Sequence, residues 1–254
     1  MKIIIAYASA GTGHFRAAEA IYNFFKQKDK NLELKLIDTL DYSNFFFSNL
    51  YSYGYSFLVR YTPCLWSLAF YTTYLRPLRR LAKSINFIID RFNTKGFAQI
   101  LMQENPDFII ATHFLPSEIC AELKRNRRIN SKLITVITDF GVHPFWIDER
   151  VDVYVVASDF TQEKLVLEGI KREQIKALGI PIDFKFLKQY AKDDVCKKIG
   201  IAPDKFTVLV VTGSFGIGPI EEIVNLLYKD VQVLVVCAKN KRLFTRLKNK
   251  NYPQ

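Results

Sequence analysis

Cysteine is scarce and scattered in this chain of 254 residues. Cys64, Cys120, Cys196 and Cys237 form no Cys-x-x-Cys pair. That argues against a thiolate metal site or a disulfide framework, and for buried free thiols in a reducing cytosol. Histidine is scarcer still. His14, His113 and His143 stand far apart, with no ligand spacing that demands a metal. Glycine does not complete a dinucleotide fingerprint, because the position three after Gly13 is Arg16. An uninterrupted apolar run is missing too. Between Tyr42 and Leu75 the only formal charge is Arg60, yet Pro63 and many Ser, Asn, Thr and Tyr residues spoil a span of about 20 apolar residues. The chain enters a strand at once, so no signal peptide is expected. Acidic residues are outnumbered, 25 against 36 Lys and Arg, which leaves a net charge of +11 and a pI near 9.4. The excess points to an anionic partner: nucleic acid, an anionic membrane or a nucleotide.

Apolar material is plentiful by contrast. Hydrophobic residues make up 49% of the chain, enough for a sizeable core. Lys2-Ile3-Ile4-Ile5 reads as a buried strand. Ala17 to Lys26 reads as a helix with apolar residues at helical spacing. Gly11 and Gly13 therefore fall in a strand-to-helix turn, where the backbone can approach a ligand closely and aim helix N–H groups at it. His14 adds a group that titrates near neutral pH. A glycine turn with a histidine suits activation of a hydroxyl better than dinucleotide binding. Two plainer readings stand beside it: a tight turn without a ligand, and a nicotinamide site with Asp38, at the end of the second strand, on the ribose.

Strands and helices alternate from there on. Further strands are expected at 107–111, 132–137 and 151–157, with helices from Pro116 to about Asn126 and from Phe160 to Glu168. Ser158-Asp159 is the expected N-cap of the latter and Gly169 its C-cap. All three histidines lie just past strand ends, the edge where open parallel sheets bind ligands. The alternation breaks at residues 41–92, which hold Phe45-Phe46-Phe47, many tyrosines, Trp66 and then Arg76, Arg79, Arg80 and Lys83. Aromatics beside basic residues read as a pair of amphipathic helices on one leaflet of a membrane. The other reading packs the aromatics inward as core. Residues 179–183 read as a connection, 184–204 as a linker, and 205–254 as the start of a second unit. Its strand at 206–211 leads into a turn with Gly213, Ser214, Gly216 and Gly218, and Pro219 suits the first position of the next helix. A second strand, 231–236, and a basic helix follow. Two βα units leave an apolar sheet edge exposed.

Taken together, Ser9–His14 with Ala17–Ile21, Ala111–Pro116, Thr138-Asp139-Phe140 with His143 and Trp146, Val151–Tyr154 with Ala157-Ser158, Gly179–Ile182 and the 213–219 turn resemble the diacylglycerol glycosyltransferases. These are the plant monogalactosyldiacylglycerol synthases and the bacterial processive diacylglycerol glucosyltransferases. The resemblance implies an α/β GT-B fold. Its Rossmann-like N-terminal acceptor and membrane domain is expected over 1–183, with a parallel sheet and the aromatic insertion, followed by an incomplete Rossmann-like donor domain. Ala10 and Thr12 stand where the family often has glycines, and Asp159 where it commonly has Glu.

The implied activity is inverting transfer of a hexose from UDP-glucose or UDP-galactose to diacylglycerol, without a metal or other cofactor. It implies a cytoplasmic chain, peripheral on the inner face of the cell membrane. His14 is expected as the base that takes the acceptor proton, or as the group that orients one. Asp139 orients a histidine, contacts the acceptor or caps a loop. Gly11, Gly13, His113, His143 and Trp146 fall on the acceptor side. Gly213, Ser214, Gly216 and Gly218 fall beside the donor diphosphate. Phe46, Phe47, Trp66, Arg76, Arg79 and Arg80 fall on the membrane face. With the donor domain incomplete, the resemblance leaves open whether a separate chain supplies the missing half. A non-catalytic lipid-binding remnant is the alternative. A Rossmann-type nucleotide-binding protein and a nucleic-acid-binding protein lie further off, the latter because the chain holds no recognisable nucleic-acid motif.

Overall fold

Runs of β-branched and aliphatic residues build a six-stranded parallel sheet in the order β2-β1-β3-β4-β5-β6. The strands are β1 Lys2–Tyr7, β2 Glu33–Asp38, β3 Phe108–Ala111, β4 Lys132–Val136, β5 Val153–Val156 and β6 Ile175–Ala177. The structure is a computed structural model that describes residues 1–9, 11–54, 57, 62, 64, 84, 85, 88–250 and 252. Residues 1–187 and 188–254 form two separate units.

Both faces of the first sheet are covered, as an all-parallel sheet requires. Alternation along β1 shows how. Ile4 and Ala6 join a core with Phe97 and Leu101 of α3 (Lys95–Glu104) and Leu115 and Ile119 of α4 (Phe114–Arg125). Ile3 and Ile5 point the other way, to Ala18 and Ile21 of α1 (Gly13–Lys28). Helix α5 (Asp159–Leu167) adds Leu165 to the first core. The chain thus winds outward from β1 to β2 on one side and from β3 to β6 on the other. The order reverses between β1 and β3, which are paired in register from Ile3↔Phe108 to Ala6↔Ala111. In such sheets the crevice beyond the carboxyl ends at the reversal is the ligand site. Ser9, Gly11 and His14 follow β1, and Thr112 and His113 follow β3.

Several expectations shift in detail. Helix α4 begins at Phe114, two residues before Pro116, because the His113 side chain caps it. Residues 175–177 add a sixth strand against β5. Ser158 caps α5 through Thr161 N–H, and Gly169 follows with φ +96°. Within 41–92, α2 (Phe45–Asn49) leads into a turn of π-helix at Leu50–Gly54, and residues 88–93 are helical. The Asn44 amide donates to Asn93 O at 2.8 Å, which closes the base of this insertion. Phe45 and Phe46 of α2 are 74% and 80% exposed, whereas Phe47 packs on the core beside Tyr51. Trp66, Arg76, Arg79 and Arg80 lie outside the described residues.

In the second unit, β7 (Thr207–Val211) and β8 (Gln232–Val236) pair in parallel. Val210 packs with Ile220 and Val224 of α7 (Ile220–Leu227) and Leu243 of α8 (Lys241–Asn249). Leu209, Val211 and Val236 remain exposed, so one apolar face of this short sheet is open. Helix α6 (Lys192–Ile199), ending on Gly200 at φ +72°, occupies part of the expected linker. Pro219 sits at the N-cap of α7, one position before its expected place.

Candidate functional site

The loops after β1 and β3 are joined by reciprocal bonds. His14 Nδ1 lies 2.8 Å from Thr112 O, and Thr112 Oγ1 donates to His14 O at 2.9 Å. A carbonyl only accepts, so His14 carries its hydrogen on Nδ1 and its lone pair on Nε2. Thr138 Oγ1, just beyond β4, lies 2.9 Å from the same Nδ1. Burial of the His14 ring holds its pKa below the ordinary histidine range; the Thr112 carbonyl and the Asp139 charge pull the other way. The result is a half-buried neutral imidazole whose basic atom is Nε2.

His113 has the opposite tautomer. Its Nδ1 accepts from Leu115 N–H at 3.0 Å as the cap of α4, so the ring hydrogen is on Nε2. The two imidazoles meet edge to face, 4.5 Å apart. Trp146 lies 6.1 Å from His14 and 6.3 Å from His113. Its indole N–H donates to Asp139 Oδ2 at 3.1 Å. Tyr51, from the aromatic insertion, reaches His113 at 6.1 Å. The loop that carries Trp146 is pinned by the buried Tyr154 on β5, whose hydroxyl accepts from Asp148 N–H and lies within 3.2 Å of Trp146 O.

The structure therefore gathers His14, His113, Asp139 and Trp146 at the reversal point. Asp139 is bonded to Trp146, and the side chain on His14 Nδ1 is that of its neighbour Thr138. His143 caps the turn at Pro144–Trp146, accepting from Phe145 N–H at 3.3 Å, and its ring meets that of Phe145, which lies 5.7 Å from the Phe114 ring. Gly11 takes φ +119°, a conformation that favours glycine. An added Cβ at Gly11 or Gly13 would meet nothing within 4 Å, so open space adjoins the start of α1. Asp38, on which the nicotinamide reading rests, is buried and uses Oδ1 on the amides of Ser9 and Leu40. Among the described residues no group of three or more His, Cys, Asp and Glu is placed to hold a metal.

Sequence reasoning missed Thr112 and Thr138 as partners of the histidine. The available signal was positional: each directly precedes a candidate residue, in Thr112-His113 and Thr138-Asp139, past the end of neighbouring strands.

His113 makes a testable mark on stability. Burial holds its pKa well below the usual value, with a smaller contribution from His14. Below about pH 6.5 the unfolded chain takes up a proton that the folded ring refuses, so stability is full above that pH and falls below it. The slope approaches about 1.4 kcal/mol per pH unit for this one group. Denaturant unfolding between pH 7.5 and 5.0 should show the loss. His113→Asn, which keeps a capping oxygen, should flatten it.

In the second unit, Gly213, Gly216 and Gly218 all have positive φ in the turn between β7 and α7, with Ser214 among them. Gly216 has a packing reason of its own. A Cβ there would lie 2.3 Å from Cys237 O.

The chain is 29% identical over 258 residues to a processive diacylglycerol β-glucosyltransferase of Bacillus licheniformis, covering 98% of this chain and 64% of that protein. It is 30% identical over 269 residues to a probable chloroplastic monogalactosyldiacylglycerol synthase of Glycine max, covering 99% of this chain and 49% of that one. The chain thus spans about half to two-thirds of the length of these curated relatives. Among solved structures, UDP-N-acetylglucosamine 2-epimerase from Rickettsia bellii shares the fold, with a TM-score of 0.52 at 15% identity, covering 99% of this chain and 65% of that one. The family model for monogalactosyldiacylglycerol (MGDG) synthase matches residues 14–182, from the histidine of the first turn to the end of the 179–182 segment, and the chain belongs to that family.

Proposed function

We propose that this chain acts in glycolipid synthesis, in inverting transfer of a hexose from a UDP-sugar to the hydroxyl of diacylglycerol at a membrane surface. One observation carries the reading: His14 stands at the sheet's reversal point, neutral, with Nδ1–H held and Nε2 basic. In the proposed step the acceptor oxygen attacks the anomeric carbon while its proton passes to Nε2. The bond from that carbon to the diphosphate breaks, and UDP leaves with the bonding electrons. A departing diphosphate is stabilised by helix N–H groups and positive charge, and in this reading the glycine turn at 213–218 belongs to the donor side. The step calls for no metal. The family membership and the names of the relatives support the acceptor and the sugar chemistry.

The membrane side rests on the aromatic insertion. Phe45, Phe46, Leu50, Ile88, Ile89 and Phe92 are exposed on segments tied together at Asn44 and Asn93, and Lys95 lies over the Phe92 ring. Clustered apolar side chains edged by a cation suit an anionic bilayer surface, the inner leaflet in this reading. Among the described residues no helix is long and apolar enough to cross a membrane. Phe46→Ser should abolish most salt-resistant co-sedimentation with vesicles of anionic lipid and diacylglycerol, because its ring is open to solvent and its loss leaves the core intact. Phe47→Ser should lower stability instead.

Equilibrium binding of UDP-glucose and UDP-galactose, run with the same vesicles, tests the whole reading. Donor binding together with lipid binding supports it. Lipid binding without donor binding identifies a non-catalytic lipid-binding protein. Vesicle binding that vanishes with salt and ignores Phe46→Ser reduces the membrane face to a basic surface.

A further inference from the structure

Resting on the reading of His14 as the base, we propose that Thr138 is its positioning residue: the Thr138 hydroxyl and the Thr112 carbonyl together hold Nδ1–H and aim the lone pair of Nε2 at the acceptor. Two acceptors converge on one hydrogen, at 2.8 Å from the carbonyl and 2.9 Å from the hydroxyl. If Thr138 donated to Nδ1 instead, the nitrogen's filled orbital would face the Thr112 carbonyl at 2.8 Å, an arrangement with no hydrogen between two acceptors. Thr138 is therefore the acceptor. Its placement is fixed by the sheet: Thr135 of β4 pairs with Ala111 of β3, so the loops after these two strands lie side by side, and both reach His14 at the start of α1.

Neutral partners distinguish this arrangement from a histidine paired with a carboxylate. A carboxylate on Nδ1 would favour imidazolium before any acceptor arrives. A hydroxyl and a carbonyl orient the ring, leave it neutral, and strengthen their bonds only when Nε2 gains the proton. The charged and titratable groups around the ring fit this scheme. Asp139 faces it from the β4 loop and is bonded to Trp146. His113 faces it from the end of β3 and is neutral. Arg16 and Glu19, on α1 itself, are paired with each other at 2.6 Å.

The test is a titration of the His14 ring by nitrogen-15 NMR in the ligand-free chain, for wild type, Thr138→Val and Thr138→Ser. Wild type should show hydrogen on Nδ1. Thr138→Val should lower the His14 pKa by about one unit, a tenfold weaker hold on the proton. Thr138→Ser should restore it. In transfer assays the acid limb of the rate should move down in pH with the valine variant and return with serine. An unchanged titration in a folded Thr138→Val overturns the proposal, as does a wild-type ring with hydrogen on Nε2. A shifted titration without transfer by any variant supports the positioning role and overturns the glycosyltransferase reading, so the two failures are distinct.

Discussion

Replacing His14 by asparagine is expected to lower hexose transfer to diacylglycerol by about 10²–10⁴-fold, the range a lost general base costs. Asparagine keeps an N–H able to reach Thr112 O, the bond that His14 makes at 2.8 Å, so the junction between the β1 and β3 loops should survive. What it lacks is an atom that accepts a proton near neutral pH. Stability should therefore change little while the rate collapses, and vesicle binding should match wild type because the exposed aromatics of α2 are untouched. The acid limb of the wild-type rate should lie lower than an ordinary histidine would place it, because burial disfavours the imidazolium and the neutral ring is the working form. A histidine acting as a cation would show the reverse, with activity rising as pH falls.

Gly216→Ala should produce the largest loss of stability, and only in the second unit. A methyl at this position would lie 2.3 Å from Cys237 O, 3.0 Å from Cys237 C and 3.1 Å from Asn240 Cβ. Those atoms belong to a loop that is held in place: Asn240 N–H donates to Cys237 O, and Asn240 Nδ2 donates to Gly216 O at 2.9 Å. The overlap is with backbone, so no side-chain rotation relieves it. Gly216 also has φ +60°, which alanine adopts at a cost of about 1 kcal/mol or more. Clash, backbone cost and a weakened Asn240 bond together should exceed roughly 3 kcal/mol. Gly213→Ala is the control. Its φ of +78° carries the backbone cost, but nothing lies within 4 Å of the new Cβ. Hydrogen exchange should show β7 and β8 losing protection in Gly216→Ala, far less in Gly213→Ala, and β1 to β6 unchanged in both. The first glycine of the turn is then free to serve a ligand, while Gly216 is required by packing whether or not one binds.

These effects trace back to features of unequal visibility in the sequence. Strands β1, β3, β4 and β5 are written as aliphatic runs, and each lies within a residue or two of its expected place. Strand β6 is only Ile175-Lys176-Ala177, too short for a pattern, and it is a strand because β5 offers it an edge. Helix α6 was hidden by its charge: Val195, Cys196 and Ile199 are its few apolar residues, although Gly200 marked its end. Phe46 and Phe47 look alike in the sequence. One step of 100° around a short helix sends one ring to solvent and the other to the core.

The candidate site shows the same division. His14 and His113 stood out because a rare residue followed a strand. Their meeting at 4.5 Å depends on β1 and β3 being neighbours, a matter of strand order that local pattern does not contain. The role of Thr138 was hidden for a further reason. A threonine past a strand reads the same whether it caps a loop or holds a ring, and only the 2.9 Å approach to His14 separates the two.

The most direct measurement follows a labelled sugar. The chain is mixed with vesicles of anionic lipid and diacylglycerol, given UDP-glucose or UDP-galactose labelled in the hexose, and the lipid phase is separated and counted, with His14→Asn alongside. The wild-type chain should form labelled glycosyl diacylglycerol with one of the two donors, and the variant should lose about 10²-fold or more of that activity. A lipid phase without label, or label formed equally well by His14→Asn, would contradict the proposed function.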